Sequence, residues 1–372
     1  MLYIHIPFCK QRCIYCDFYS TVLNSNILTA YIDALCAEIQ QRAALSTKPL
    51  TSIYIGGGTP SIIPIQGLRK IFQTILQHFT ISETAEITME LNPDDVTPQY
   101  VADLKQLGIN RTSLGIQTFA DKHLRFLNRR HDANKAIVAV QTIHEAGIDN
   151  ISIDLIFGLP EQTIDEWQQD LEKALTLPIS HLSAYSLMYE PNTLLTKKLE
   201  QGEIKEVSEE LSLQMFKTLC QTLKNHGFEH YEISNFCRPG YASRHNSGYW
   251  CGKPYIGVGA GAHSFDGENR AYNIENLEAY IQSHGCPPHE SETLNNNERI
   301  NEFIFTRLRT ASGVNLMELE ARFGHETKQL ILSLAKQHIS NQLLTLENNV
   351  VKLSEEGIFV SDDVMSDLML ID

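Results

Sequence analysis

Three cysteines stand within eight residues near the start of the chain: Cys9, Cys13 and Cys16, with the spacing C-x3-C-x2-C. A loop this short can turn all three sulfur atoms toward one point. Structural zinc sites take four ligands, often as two CxxC pairs, and no second pair follows downstream. Three thiolates suit a [4Fe-4S] cluster whose fourth iron stays open to an outside ligand. A zinc site and three buried cysteines without metal remain the alternatives.

A glycine run and three polar residues accompany the strands that the sequence predicts. Gly-Gly-Gly-Thr-Pro at 56–60 follows the second strand, and three glycines let a ligand approach the backbone closely. Glu90 ends the third strand, Gln117 ends the fourth, and Asp154 lies in the fifth. Ligands of parallel α/β sheets collect at the carboxyl ends of the strands. The sequence therefore predicts a ligand site at one edge of a parallel sheet.

Short β-rich runs alternate with amphipathic stretches over the first half of the chain. Tyr31, Leu35 and Ile39 recur every four residues, which is typical of one buried helical face. The alternation predicts an α/β fold, and six units favour an open, partial (β/α)6 barrel over a full eight-fold one. The predicted strands are Tyr3–Ile6, Ser52–Ile55, Glu86–Leu91, Arg111–Ile116, Asn150–Phe157 and His181–Leu187, and the predicted helices cover about 28–44, 67–79, 98–107, 133–146 and 163–176.

The pattern changes after Glu190. A charged helix is predicted over 207–226, an aromatic, turn-rich segment follows it, and from about Asn276 the chain is predicted to be helical. A hairpin around Asn348-Asn349 gives the end of the chain the pattern of a small, mainly helical, winged-helix-like domain. We therefore expect three parts, which are a barrel core over 1–190, an extension over 191–274 and a C-terminal domain over 275–372.

Composition narrows the class of protein. The 372 residues include 30 Lys and Arg against 45 Asp and Glu, a net charge of −15, which argues against a nucleic-acid partner. Winged helices often bind DNA, but many serve only as packing modules. No apolar run reaches the roughly 18 to 20 residues of a membrane span, and the first residues lack the features of a signal peptide. We expect a cytoplasmic protein with reduced cysteines and no integral membrane segment.

The cysteine spacing after a short first strand resembles the radical S-adenosylmethionine (SAM) superfamily. The resemblance implies that the open iron chelates the amino and carboxylate groups of SAM, whose reductive cleavage yields a 5′-deoxyadenosyl radical. Over most of the chain, the sequence also resembles the oxygen-independent coproporphyrinogen III oxidase family. The motifs are Gly-Gly-Gly-Thr-Pro at 56–60, Glu-Leu-Asn-Pro at 90–93, Gly-Ile-Gln-Thr-Phe at 115–119, Asn128-Arg129 and Ile-Asp-Leu-Ile-Phe-Gly-Leu-Pro at 153–160.

Positions that match the family motifs imply a SAM pocket beside the cluster. Gly57, Gly58 and Thr59 would hold the methionine moiety of SAM. Without the resemblance, Arg129 could equally be a surface charge and Asp154 a capped turn. The other residues that the resemblance places at the cofactors are Tyr3, Tyr15, Glu90, Gln117, Arg129 and Asp154.

Two departures from the oxidase pattern matter. The oxidase continues its motif with a further cysteine, whereas Asp17 and Phe18 follow Cys16 here. The oxidase also carries a long amino-terminal extension over its active site, and since this sequence starts shortly before Cys9 we expect that lid to be absent. Both departures are shared with a branch of the family regarded as heme chaperones, which hand heme to acceptor proteins. The opening Leu-Tyr-Ile-His-Ile-Pro-Phe-Cys resembles the same branch.

A second motif favours that branch. Residues 245–250 read His-Asn-Ser-Gly-Tyr-Trp, and this HNxxYW pattern is associated there with heme binding. A neutral imidazole is a good axial ligand for heme iron, and aromatic rings offer flat apolar faces to a macrocycle. The alternative is a loop whose aromatic residues pack a domain junction, with His245 only hydrogen-bonded. His230 and His263 are the fallback ligands.

The sequence thus predicts a heme chaperone that carries a SAM-binding [4Fe-4S] cluster. The resemblance implies heme and acceptor hemoproteins as partners, respiratory-chain proteins among them, with at most a transient membrane contact during delivery. Two alternatives stay open. One is an oxygen-independent coproporphyrinogen III oxidase, which decarboxylates two propionates after radical hydrogen abstraction. The other is a radical SAM enzyme that acts on another substrate.

Overall fold

The computed structural model describes residues 1–370, apart from the side chains of Ser25 and Asn26. None of the helices within this range is long and apolar enough to cross a membrane. The strands are β1 (Leu2–Ile6), β2 (Phe8–Cys9), β3 (Thr21–Val22), β4 (Leu50–Gly57), β5 (Ile81–Leu91), β6 (Arg111–Gln117), β7 (Asn150–Phe157), β8 (His181–Ser186), β9 (Glu229–Glu232), β10 (Asn235–Cys237), β11 (Ile256–Val258), β12 (His263–Phe265), β13 (Asn269–Asn273), β14 (His289–Thr293), β15 (Val314–Asn315), β16 (Leu344–Glu347) and β17 (Val350–Leu353). The helices are α1 (Ser25–Arg42), α2 (Ile65–His78), α3 (Pro98–Gln106), α4 (Asp121–Phe126), α5 (Ala133–Glu145), α6 (Ile164–Leu175), α7 (Leu194–Glu200), α8 (Glu209–Asn225), α9 (Arg244–Trp250), α10 (Leu277–Gln282), α11 (Asn296–Leu308), α12 (Leu316–Phe323), α13 (His325–Ser340), α14 (Glu355–Phe359) and α15 (Ser361–Asp367).

One large sheet organises the first 260 residues. Its strand order is β11-β1-β4-β5-β6-β7-β8-β10-β9. The run from β1 through β4 to β8 is parallel throughout, with β11 added parallel to β1 at one end and β10 antiparallel to β8 at the other. The six central strands are those that the sequence predicts, and β7 has the predicted bounds. The partial (β/α)6 barrel is confirmed.

Alternation along the strands explains why the sheet curves around a polar interior. On β4, Ile53 and Ile55 are fully buried in the apolar core that packs against the helices. The residues between them, Ser52 and Tyr54, belong to the opposite face, because successive side chains of a strand point to opposite sides. On the outer side, α1 contributes Tyr31, Leu35 and Ile39, none of which is exposed, as their spacing predicts.

A small sheet, β12-β13-β14, follows the barrel strands. The sequence pattern predicts turns and then helix over this region. The prediction of helix from Asn276 onward is wrong at β14, which is a strand. Its five residues, His-Glu-Ser-Glu-Thr, are all exposed, so the strand carries no apolar alternation that sequence analysis could detect. Tyr280, on α10, is buried in the main core. The domain boundary at 275 stays a prediction, and β13 and β14 pair across it.

The C-terminal region has its own apolar core, which includes Leu319, Ile331 and Val351. Helices α11 to α15 surround the sheet β15-β17-β16, and the hairpin turn at Asn348-Asn349 uses positive φ angles of 50° and 62°. The small, mainly helical domain with a β-ribbon agrees with the expectation from the sequence.

A buried carboxylate fastens the segment after β11 to α1. Glu38 is fully buried and accepts hydrogen bonds from the backbone N–H of Gly259 at 2.9 Å and the hydroxyl of Tyr280 at 2.6 Å. The side-chain amide of Asn273 donates to it at 2.9 Å, and Arg42 completes an ion pair at 2.7 Å. Four groups therefore depend on one acceptor that water does not reach.

We expect Glu38→Ala to lower the free energy of unfolding by about 3–5 kcal/mol, because it leaves the Gly259 N–H and the Tyr280 hydroxyl without their acceptor and removes the carboxylate that pairs with the half-buried Arg42. Urea unfolding followed by circular dichroism measures the change. Asp33→Ala on the same helix is the control, since Asp33 pairs with Lys70 at the surface and should cost less than about 1 kcal/mol. Equal losses in the two variants would contradict the anchoring role of Glu38.

Candidate functional site

A cavity of about 410 Å³ opens where the parallel strands of the barrel end. It gathers residues that are up to 237 positions apart in the sequence, the span from Cys9 to Asn246. Tyr3 and His245 do not line it. The predicted site residues that do line it are Cys9, Cys13, Cys16, Tyr15, Gly57, Gly58, Thr59, Glu90, Gln117, Arg129 and Asp154.

The three cysteines lie on the loop between β1 and α1, and all are free thiols. The hydroxyl of Thr59 donates to Cys9 Sγ at 3.5 Å, and the Arg129 guanidinium donates to Cys13 Sγ at 3.3 Å. Such donors stabilise sulfur as a thiolate. Burial raises the pKa of Cys16 to about 11. Burial therefore favours the neutral thiol of Cys16. Coordination to iron removes the thiol proton, so the side chain is a thiolate when a cluster is bound.

The cysteine set fits an iron–sulfur cluster. Among residues 1–370, no three His, Cys, Asp or Glu side chains are arranged to hold a single metal ion. A [4Fe-4S] cluster does not require the three sulfur atoms to meet at one point, because each thiolate binds a different iron atom. Three thiols on one cavity wall, two of them already facing hydrogen-bond donors, provide a donor set of that kind.

Two glycines bring the backbone close to the cysteine loop. Gly57 has a φ of +115°, and a Cβ atom there would lie 2.7 Å from the ring of His5. A Cβ atom on Gly58 would lie 2.7 Å from the carbonyl oxygen of Phe8 and 3.0 Å from Cys9 Sγ. Both positions therefore require glycine, one for its backbone angle and both for the space.

Two half-buried carboxylates face the cavity from β5 and β7, the strands on either side of β6. Glu90 accepts hydrogen bonds from the Tyr54 hydroxyl at 2.8 Å and from the Gly57 N–H at 3.1 Å. Asp154 accepts from Ser113 at 3.3 Å and also from Ser183. Burial raises the pKa of Glu90 to about 7 and that of Asp154 to about 6. Both carboxyl groups therefore change charge close to neutral pH.

Arg129 joins the cysteine loop to the end of β6. Its guanidinium donates to Asn92 Oδ1 and to the Gly115 carbonyl as well as to Cys13, so it lines the cavity and is not a surface charge, and its role toward SAM stays a prediction. Gln117 ends β6 with a φ of 75°, a left-handed angle that turns the chain at the cavity rim. Sequence analysis places both residues correctly at the cavity.

Tyr3 lies behind the cavity wall. Its hydroxyl is hydrogen-bonded to His5 Nδ1 at 2.9 Å, and its ring stacks on Tyr54 with 6.2 Å between the centroids. Tyr54 in turn donates to Glu90. In this structure Tyr3 therefore supports a residue that lines the cavity and is not part of the lining.

His245 lies at the base of the barrel, at the amino-terminal end of the strands. It is fully buried, its Nδ1 is 2.8 Å from the Ser52 hydroxyl, and its Nε2 is 2.8 Å from the Tyr249 hydroxyl. Its backbone N–H donates to Glu86 at 3.0 Å. Burial, and next the amino-terminal charge and Arg111, lower the pKa of His245 to about 3. Both ring nitrogens of His245 therefore have hydrogen-bond partners inside the protein. This arrangement matches the alternative in which His245 is only hydrogen-bonded at a packed junction.

Axial ligation by His245 stays a prediction, and it requires the ring to leave Ser52 and Tyr249. The fallback residue His230 is also occupied, since its Nε2 is 3.0 Å from the Ile233 carbonyl oxygen and its ring stacks on Phe236. His263 is exposed, and its ring stacks on Tyr272 with 5.1 Å between the centroids.

Trp250, the last residue of HNxxYW, contacts the C-terminal domain. The guanidinium of Arg309 lies 4.7 Å from the centre of its ring, and Arg307 on α11 donates to its carbonyl oxygen. The motif therefore spans a junction, with His245 in the barrel and Trp250 against the next domain.

Sequence analysis missed the polar residues deeper in the barrel. They alternate along parallel strands, as in Ser52 and Tyr54 on β4 or His181 and Ser183 on β8, and this period of two was the available signal. Buried parallel strands are usually apolar on both faces, so polar alternation in them marks a lumen. The missed cavity residues are Tyr54, Arg111, Ser113, Ser183, Tyr185 and Asn246.

Comparisons with known proteins agree with this geometry. Residues 3–174 match the model of the radical SAM superfamily, and residues 294–360 match that of the HemN C-terminal domain. In the solved structures, the chain is similar to the Escherichia coli coproporphyrinogen III oxidase HemN, a radical SAM enzyme. The TM-score is 0.85 at 22% identity, over 99% of this chain and 89% of that one, a likeness that shows the fold.

Curated proteins match the chain over nearly its whole length. The chain is 34% identical to the heme chaperone HemW of Bacillus subtilis, over 97% of each chain. It is 32% identical to the heme chaperone HemW of Lactococcus lactis, over 100% of this chain and 97% of that one. It is also 31% identical to the mitochondrial radical S-adenosyl methionine domain-containing protein 1 of Danio rerio, over 99% and 86%. The chain belongs to the radical SAM superfamily and, within it, to the HemW family.

Proposed function

We propose that this protein is a heme chaperone, which binds heme and passes it to acceptor hemoproteins. The observation that carries the proposal is the match, over 97% of both chains, to a curated protein named as a heme chaperone. The likeness to coproporphyrinogen III oxidase extends to the fold, at 22% identity. We also keep a cytoplasmic location and acceptors from the respiratory chain as parts of the proposal.

The mouth of the cavity supports heme binding. Phe18, Tyr185 and Met188 line it and are 65%, 44% and 64% exposed. Phe18 stands in the stretch where the oxidase motif has a further cysteine. Apolar and aromatic side chains at the edge of an open cavity offer flat surfaces to a planar, apolar macrocycle.

Radical SAM membership implies a [4Fe-4S] cluster and SAM, and the residues at the cavity fit both groups. Cys9, Cys13 and Cys16 would hold the cluster, with Thr59 and Arg129 donating hydrogen bonds to its sulfur ligands. Gly57 and Gly58 leave room for the methionine moiety, and Glu90 and Asp154 present negative charge to the cationic SAM. The cluster, when bound, supplies an electron and an open iron site for SAM.

His245 is the first heme-ligand candidate, and its ligation requires the ring to leave Ser52 and Tyr249. His263 is the fallback. Its imidazole is exposed, but its ring stacks on Tyr272, and it is not among the residues that line the cavity.

Loss of any one of the three loop cysteines should abolish the cluster. After anaerobic reconstitution, we expect Cys9→Ser, Cys13→Ser and Cys16→Ser to lack the brown absorbance near roughly 400 nm that thiolate-bound clusters show. Iron and sulfide analysis gives a second measurement. Cys36→Ser and Cys286→Ser, outside the cavity, are the controls and should keep the chromophore. Zinc in the reconstituted wild type would contradict the assignment.

SAM binding should weaken as the pH falls. Because the pKa of Glu90 is raised to about 7, its carboxylate is mostly protonated at pH 6 and mostly ionised at pH 8. A cationic ligand prefers the ionised form, so we expect SAM affinity to rise roughly tenfold from pH 6 to pH 8. Calorimetry on the reconstituted protein measures it. Glu90→Gln should bind weakly with a flatter pH profile, and an unchanged profile would remove Glu90 from the SAM site.

Titration with hemin tests the proposed function itself. We expect the wild type to give a Soret band that weakens in His245→Ala, which requires the ring to leave Ser52 and Tyr249, and persists in His263→Ala. The reverse pattern would transfer the ligand role to the fallback residue His263. No band in the wild type would contradict the chaperone proposal. Conversion of coproporphyrinogen III in the presence of SAM and a reductant would favour the oxidase instead.

A further inference from the structure

Arg111 is a buried cation that forms no direct hydrogen bond or close ion pair among the described residues, although its charge opposes the rise that burial causes in the pKa values of Glu90 and Asp154. It begins β6, is only 2% exposed, and lines the deep end of the cavity. Its Nε has no hydrogen-bond partner, and its guanidinium forms no hydrogen bond or ion pair with any residue in the described part of the chain. An unpaired buried charge is costly, so proteins rarely keep one unless something else satisfies it.

The carboxylates of Glu90 and Asp154 interact with Arg111 electrostatically but accept no hydrogen bond from it. Glu90 accepts from the Tyr54 hydroxyl and the Gly57 N–H, and Asp154 from the hydroxyls of Ser113 and Ser183. Each carboxylate thus has two neutral donors of its own. Within the described part of the chain, the five N–H donors of Arg111 therefore have no hydrogen-bond acceptor.

Asn246 supplies a second unused donor at the same end of the cavity. It follows His245 on α9, and Ser52 and Glu86 hold this part of the helix at the base of the barrel. Its backbone N–H is bonded to Ser243, whereas its side-chain amide has no hydrogen bond with a described residue and lines the cavity. Asn246, the second residue of HNxxYW, therefore lines the cavity. The packing of His245 and of Trp250 does not explain this position.

The geometry points to a carboxylate-binding subsite at the floor of the cavity, formed by the guanidinium of Arg111 and the amide of Asn246. A guanidinium binds a carboxylate through two parallel N–H···O bonds, and an amide N–H can add a third. Because the resemblance places the carboxylate of SAM on the open iron of the cluster, the carboxylate at this subsite belongs to a second small molecule in the barrel. The subsite does not depend on heme binding, so its failure would leave the proposed function untouched.

Thermal unfolding in the presence of propionate tests the subsite, with sodium chloride at equal ionic strength as the reference. We expect saturable stabilisation of the wild type by at least about 2 °C beyond the chloride effect, since a ligand that binds only the folded state raises Tm. Arg111→Met and Asn246→Leu should lose this response. Arg130→Met is the matched control, because Arg130 lines the same cavity but is paired with Asp94 and Asp95, and it should keep the response.

Two results would overturn the subsite. One is a wild type that responds to propionate no more than to chloride. The other is an Arg111→Met variant that folds and responds like the wild type. Should Arg111→Met fail to fold, Arg111→Lys and Asn246→Leu replace it, and an undiminished response in both would equally overturn the proposal.

SAM titrations of the reconstituted protein distinguish the subsite from the SAM pocket. Because the carboxylate of SAM is expected on the open iron, Arg111→Met should bind SAM within about twofold of the wild type, and propionate should still stabilise the SAM-bound wild type. A loss of SAM affinity of at least about tenfold, the usual cost of a lost charge-assisted bond, would place SAM itself at Arg111 and overturn the assignment to a second molecule.

Discussion

Buried carboxylates that accept backbone N–H groups hold together segments that are far apart in this sequence. Glu86 on β5 accepts the N–H groups of Arg244 and His245, and so fixes α9 under the barrel. Glu90, four residues further along the same strand, accepts the N–H of Gly57 at the opposite end. Glu38 does the same for Gly259 outside the barrel. Because an N–H group without an acceptor is costly in a buried position, each carboxylate fixes one connection of the fold.

This constraint explains how the barrel tolerates a polar interior. Side chains such as Ser52, His181 and Ser113 face a space that is largely closed to solvent. Ser52 bonds to His245 of α9, and His181 and Ser113 bond to residues of the adjacent strand. The polar interior in turn allows a charged cofactor to approach the carboxyl ends of the strands. An apolar interior of the same size would exclude SAM and the groups that position it.

The six barrel strands and the helices around them could be predicted because their outer faces carry a periodic apolar pattern. The cysteines, Arg129 and Asp154 could be placed because motifs with fixed spacing contain them. The position of α9 could not be predicted, since its contacts with Ser52 and Glu86 join residues that are 193 and 159 positions apart. Sequence analysis missed Arg111 for a similar reason, because the sequence of a seven-residue strand does not indicate which residues its inward-facing side chains will contact. The edge strand β14 is polar and exposed, and only its pairing with β13 defines it.

Helix α9 has two faces that serve different parts of the molecule. Within two turns, His245 closes the base of the barrel and Trp250 lies under the guanidinium of Arg309 at the start of the C-terminal domain. A movement of α9 would therefore disturb two contacts at once, the hydrogen bond between His245 and Ser52 and the packing of Arg309 on Trp250.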